Sequence, residues 1–195
     1  NTVTNAGTFT NAGGFNAADL ENTATFTFDN TGTLNTSNSV TNAGTFTNDE
    51  SFSAPTVTNS GIFTNNKTFS ATDVVNTLTF GNTGTLTAIN TVTNAGTFTN
   101  AGGFNAVDLE NTATFTFDNI GTLIASNSVT NAGTFTNDES FSAPTVTNSG
   151  IFTNNKTFSA TDVVNTLTFG NTGTLTAINT VTNAGTFTNA GGFNA

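Results

Sequence analysis

The chain of 195 residues has no Cys, His, Met, Trp or Tyr, and neither Arg nor Gln occurs in it. Each absence closes a class of function. Without Cys there is no disulfide framework and no thiolate metal site, and the redox compartment stays open. Without His or Cys the usual nucleophile–base pairs of covalent catalysis are missing. Lys67 and Lys156 are the only bases against twelve acids, a formal net charge of −10. Phosphate binding needs clustered Lys and Arg, so this balance argues against a nucleic-acid partner and against an anionic membrane surface. No run of about 18 apolar residues is present, so no membrane insertion is expected. No signal peptide is visible, but the chain opens without Met and in mid-pattern, and it reads as a segment of something longer.

What is present is mostly Asn and Thr, 81 of the 195 residues. Such polar low complexity would suggest disorder. Periodicity argues otherwise. Residues 1–89 recur as 90–178 with four differences, Ala18/Val107, Thr31/Ile120, Asn35/Ile124 and Thr36/Ala125. Residues 179–195 restart the pattern unchanged, so one continuous segment over 1–195 is expected. Within the repeat, large apolar residues fall at Val3, Phe9, Phe15, then Leu20, Phe26/Phe28, Leu34, then Val40, Phe46, Phe52. They continue at Val57, Phe63, Phe69, then Val74, Phe80, Leu86, and Val92 begins the series again. Steps are nearly all of six residues, and triplets of anchors make units of 17, 20, 17, 17 and 18 residues.

A spacing of six does not build a 3.6-residue stripe, and Thr, Asn and Gly are poor helix formers. Short strands fit, with Phe9 inward and Thr8 and Thr10 outward. The pair Phe26 and Phe28 lengthens a unit by two and preserves that alternation. Turns fit at Asn5-Ala6-Gly7, Asn42-Ala43-Gly44 and Asn59-Ser60-Gly61, where Gly supplies conformations that other residues resist. Asn-Gly and Asp-Gly hairpin dipeptides never occur, which disfavours an antiparallel meander. The expectation is an all-β parallel β-helix, a solenoid of three-sided coils of 17–20 residues, eleven in all, rising about 50 Å at the strand spacing.

The Asn positions carry that reading furthest. Two residues after the first anchor stand Asn5, Asn22, Asn42, Asn59 and Asn76; two after the second stand Asn11, Asn30, Asn48, Asn65 and Asn82. After the third the slot holds Ala17, Thr36, Ala54, Ala71 or Ala88. An Asn amide both donates and accepts. Stacked about 4.8 Å apart, each can bond the next, as in cross-β ladders. The matching core stack is Phe9, Phe26, Phe46, Phe63 and Phe80, with Phe15, Phe52 and Phe69 beside it.

The phrase Asn-Ala-Gly-Thr-Phe-Thr-Asn-Ala-Gly resembles the repeats of bacterial surface β-solenoids, the filamentous-haemagglutinin-like adhesins and secreted fibre proteins. That resemblance covers the whole chain and implies an extracellular or cell-surface, right-handed parallel β-helix serving as a stalk or fibre. The chain departs from the family in favouring Phe over Leu, Ile and Val, and in the near identity of its 89-residue copies. A left-handed hexapeptide-like β-helix is the alternative, since six-residue steps suit its coil. Glu50 and Lys67, four residues after an anchor, occupy a slot where that fold wants a small inward residue.

No catalytic, cofactor or metal site is expected. Asp49 and Glu50 are adjacent, but chain neighbours tend to point apart and no further acid joins them. Asp19 and Asp73 sit three coils apart, whereas calcium needs six or more converging oxygens. Asn35, Asn66 and Asn155 begin glycosylation sequons, which chance supplies in so Asn- and Thr-rich a chain. Glu50 and Lys67 lie one coil apart, as do Glu139 and Lys156, and each is expected to form an inter-coil ion pair. Ile120 and Ile124, which replace Thr31 and Asn35, are candidate lateral contacts with a neighbouring rod. The partner expected is the chain itself, through end-to-end stacking or covalent continuation. An alternative function, binding ice or another flat lattice, rests on outward pairs such as Thr8/Thr10, Thr25/Thr27 and Thr45/Thr47. That array breaks at Ile62/Thr64, Thr79/Gly81, Ile151/Thr153 and Thr168/Gly170.

Overall fold

A computed structural model describes residues 1–112 and 114–195. Strands follow one another from Thr2–Asn5 to Gly192–Asn194, and among the described residues there is no helix. Every pairing is parallel and joins a strand to its equivalent one coil on. Val3 opposes Leu20, and the column continues through Val40, Val57, Val74, Val92, Leu109, Val129, Val146, Val163 and Val181. The chain is therefore a parallel β-solenoid of eleven rungs, and the eleven residues just named begin them.

The ladders form two sheets. Short strands bearing the second anchor, such as Thr8–Asn11 and Thr45–Asn48, make an 11-stranded sheet. Most strands bearing the third anchor run on into the first strand of the next coil, as in Gly14–Asn22 and Ser51–Asn59. Together with the remaining first strands these make a 13-stranded sheet.

Alternation places one anchor of each strand inward, and stacking places like on like. The second-anchor column is Phe on all eleven rungs, with ring centroids 4.6–5.2 Å apart and nearly parallel rings from Phe9 through Phe46, Phe98 and Phe152 to Phe187. Ring separation thus matches strand separation, so each Phe fills its own layer. Burying such a side chain contributes roughly 1.5–3 kcal/mol, and the offset contact adds about 0.5–1.5. The first column is Val or Leu, and the third mixes Phe and Leu; on the inner rungs all three columns are buried.

One core assignment needs correction. Phe28, not Phe26, joins the stack, pairing Phe9 below and Phe46 above. The two extra residues lie in the turn that follows Asn22, where Thr25 has φ 72°. Thr27 opens the next strand, and Phe26 stays half-buried outside the stack. Phe26 and Phe28 satisfy a two-residue alternation equally well, and the backbone at Thr25 decides between them.

The glycines are needed for a reason other than the expected one. No Gly has positive φ. Instead the turns of successive coils lie so close that a Cβ on Gly61 would overlap the carbonyl of Gly44, and one on Gly102 that of Gly84.

Two residues after the third anchor the chain places small buried residues, Ala54, Ala71, Ala88 and their equivalents. Thr36 is the exception: its Oγ1 is the one buried side-chain polar atom without a hydrogen-bond partner among the described residues. The second copy places Ala125 there. Thr36→Ala is therefore expected to raise stability by about 1 kcal/mol, the cost of an unpaired buried hydroxyl less one lost methyl contact. A denaturant series comparing the two proteins checks it.

Candidate functional site

The corners hold what is chemically distinctive. Asn59, fully buried, shows the unit. Its Nδ2 donates to Asn76 Oδ1 at 2.8 Å, to Gly61 O at 3.0 Å and to Thr79 O at 2.7 Å. Its Oδ1 accepts from Asn42 Nδ2 at 2.7 Å and from the Gly61 N–H at 3.3 Å. One amide thus closes its own turn and binds the coils on either side. An unsatisfied buried amide would cost roughly 1–3 kcal/mol, so the arrangement stabilises only because each rung supplies the next partner.

Every rung does. The first ladder runs from Asn5 through Asn22, Asn42, Asn59 and Asn76 to Asn183 with amide–amide distances of 2.7–2.9 Å. The second runs from Asn11 through Asn30, Asn48, Asn65 and Asn82 to Asn189 at 2.6–2.8 Å. All twenty bonds point the same way: the Nδ2 of one coil donates to the Oδ1 of the coil that follows it in the chain.

The stretch between the third anchor and the next first anchor carries a device that the sequence reading missed. Some coils cross it with one extra residue, as between Leu34 and Val40, and the strand register shifts there. The extra residue is Asn38, Asn90, Asn127 or Asn179, and in each case its Nδ2 donates to an Asp on the preceding coil, respectively Asp19, Asp73, Asp108 and Asp162. The following residue also donates to that carboxylate, through Ser39 Oγ, the Thr91 N–H, Ser128 Oγ and Thr180 Oγ1. The recurring Asp residues are thus clamps for a longer stretch. Their signature was in the sequence: each stands one coil before a six-residue step.

Hydrogen bonds from Ser39, and then from Asn38 and Thr2, outweigh desolvation and hold the Asp19 carboxyl below its ordinary pKa. Thr180, followed by Asn179, does the same for Asp162. A depressed folded-state pKa contributes stability above the unfolded value and loses it as pH falls through the folded value. The thermal midpoint is therefore expected to fall on acidification from about pH 5 to about pH 2, and Asp19→Asn with Asp162→Asn to flatten part of that fall.

The expected ion pairs do not close. Glu50 and Lys67 occupy adjacent rungs of one turn, since Ser51 opposes Thr68, and the same holds for Glu139 and Lys156. All four side chains are exposed, and no ammonium–carboxylate contact within 4.0 Å occurs among the described residues. Long exposed side chains gain only about 0–1 kcal/mol by pairing, less than is needed to fix them. That turn is instead stitched by Asn66, which donates to Asp49 and accepts from Thr83.

On the 11-stranded sheet the outward Thr column runs through Thr8, Thr27 and Thr45 and is interrupted by Ile62 and Ile151. The next column out holds Asp29 at the rung where Thr25/Thr27 was expected to supply a second Thr, because Thr25 lies in the turn. Ile120 and Ile124 are both exposed. Shallow grooves beside Pro55 and Pro144 enclose about 220 and 130 Å³, below the roughly 300–1,000 Å³ of small-molecule sites. No family model matches the chain, and no curated protein or solved structure matches it.

Proposed function

We propose that this solenoid is itself the function: a segment of a structural fibre, filament or adhesin stalk at the cell surface or outside the cell. The observation that carries the reading is the unbroken run of one Phe column and two Asn ladders through all eleven rungs. Chemistry of the end rungs supports continuation. Asn5 and Asn11 accept only from their own turns, at Gly7 and Gly13, while Asn183 and Asn189 donate only to Gly185 and Gly191 in theirs. Acceptors at one end thus match donors at the other. The partner is the same pattern again, reached by covalent extension, by end-to-end stacking, or by both. No enzymatic role is proposed, since the chain lacks the side chains for the common nucleophile–base pairs.

The test is to express residues 1–195 and follow particle length against concentration, with surface labelling of producing cells for location. Lengthening in steps of one rod is expected. A monomer at every concentration would remove the stacking route, and label confined to the cell interior would remove the surface fibre. One observation favours lattice binding instead, the registered Thr column of the 11-stranded sheet, but Asp29, Ile62 and Gly81 interrupt its two columns on rungs two, four and five. A thermal-hysteresis assay is expected to give no activity.

A further inference from the structure

Four of the nine exposed large apolar side chains, Ile62, Leu78, Ile151 and Leu167, lie at one corner of the rod, whereas Ile89 and Ile178 follow the third anchor on the far side of the coil. Ile62 opens its strand in the 11-stranded sheet, between Thr45 and Thr79 in register, and is 47% exposed. Leu78, the residue just before Thr79, occupies a turn position that is Gly in most other coils and is 52% exposed. Across the corner, Val75 faces outward between Thr58 and Thr93 and is half-buried. These three residues make an apolar patch on rungs four and five. Five rungs on, Ile151, Val164 and Leu167 make it again.

We propose that this corner is the edge along which a second copy of the rod docks side by side. The repeat spacing identifies the occupant. Three partly exposed aliphatic side chains fall far short of the about 800 Å² per partner that a stable interface needs, so a globular partner seated on one patch gains little. A rod with the same five-rung spacing, about 24 Å, meets every patch at once, and each added copy contributes another by multivalency. Only a second copy of this chain has that spacing built in.

Charge sets the conditions. Both rods are acidic: Glu21 on rung two and Glu110 on rung seven stand in the outward column of Val75, and Asp29 and Asp118 on the same rungs stand in the column of Gly81, two residues along the strand from that of Ile62. The patch falls between those bands. The nearest acid on its own rungs is Asp73, already engaged by Asn90 and the Thr91 N–H. Bringing patch to patch also brings acidic band to acidic band, so docking depends on screening. The Debye length shrinks from about 30 Å at 0.01 M salt to about 3 Å at 1 M, and pairing belongs to the upper part of that range.

The contrast with Ile120 and Ile124 is geometric. They occupy a different corner and the strand beyond it, in one copy only, separated by Gly121 and the buried Leu123.

The experiment is small-angle scattering of the 195-residue chain, read as mass per unit length, which separates side-by-side pairing from end-to-end growth. Mass per length is expected to double as salt rises from about 0.01 M to about 1 M. The variant Ile62→Thr, Ile151→Thr, Leu78→Gly, Leu167→Gly installs residues that other coils carry at these positions, and it is expected to stay single at every salt concentration. Ile120→Thr with Ile124→Asn, the identities of the first copy, is expected to pair as the parent does. Single rods of the parent at all salt concentrations would overturn the proposal. So would undiminished pairing of the first variant in a rod whose β-sheet circular dichroism is unchanged, or loss of pairing in the second variant.

Discussion

Asn59→Asp is expected to cost at least about 4 kcal/mol, most of it local to rungs three to five. The replacement is nearly isosteric, so no cavity accounts for the loss. A carboxylate has no hydrogen to give, and the three groups that the Nδ2 of Asn59 now serves, Asn76 Oδ1, Gly61 O and Thr79 O, are all acceptors. Negative oxygen would face three oxygens in a fully buried site. Asn59→Ala, which removes the amide without adding charge, is expected to cost less, about 2–3 kcal/mol. Stacked coils contact only their neighbours, and a repeat array need not unfold in one step. Amide hydrogen exchange resolved by segment is therefore the measurement: protection should fall around Asn42, Asn59 and Asn76 and persist near Asn148. Equal protection in Asn59→Asp and the parent would refute the ladder as a source of stability.

Gly61→Ala is expected to destabilise by about 1–3 kcal/mol, the range of an overpacked core position, although a surface turn ordinarily tolerates Ala. The atoms in the way belong to the backbone of Ala43 and Gly44, and Gly44 O already accepts from the Ile62 N–H at 2.9 Å. Neither can yield without moving a rung. Leu78 indicates the remedy: it stands at the same turn position one coil on, where Asn76 Nδ2 reaches its carbonyl only at 3.5 Å, against 3.0 Å at Gly61. Gly61→Ala must relay its turn in that looser way directly against the Gly44 turn. Gly81 is the control. It lies outward on a strand with nothing within 4 Å of a Cβ, so Gly81→Thr is expected to stabilise by about 0.5–1 kcal/mol through strand propensity and reduced backbone freedom. Chemical denaturation of both variants, with opposite shifts of the midpoint, checks the pair.

Much of this architecture was legible because it is written as repetition. A column of Val and Leu at first anchors, and Asn two residues after first and second anchors, admits one stacking register, and the eleven rung starts follow from it. What was not legible depends on the path between anchors. Phe26 and Phe28 are equivalent to a two-residue alternation, and only the turn at Thr25 separates them. Glycine spacing located the turns, but the need for Gly comes from the neighbouring coil, which a single unit does not contain. The Asp clamps become visible only when successive units are aligned and the extra Asn38, Asn90, Asn127 and Asn179 are seen to follow an Asp by one coil. The Glu50–Lys67 register was readable, whereas closure of the pair is an energetic matter that exposed side chains leave unsettled. The apolar corner escaped notice because Ile62, Val75 and Leu78 are distant in sequence from any common motif and meet only across two rungs.

The common direction of the ladder bonds makes the rod electrically polar. In a parallel sheet, backbone dipoles largely cancel along the stacking direction. The corner amides do not: each carries a dipole of about 3.5 D, comparable to a peptide unit, and all turn Oδ1 toward the Val3 end and Nδ2 toward the Val181 end. Two columns of aligned amides therefore give the solenoid a negative pole and a positive pole that its uniformly sparse, acidic side chains do not create. Each further 89-residue copy lengthens the columns and enlarges the moment. Such a rod orients in an electric field, presents unlike poles when two meet end to end, and favours opposite orientations when two lie side by side.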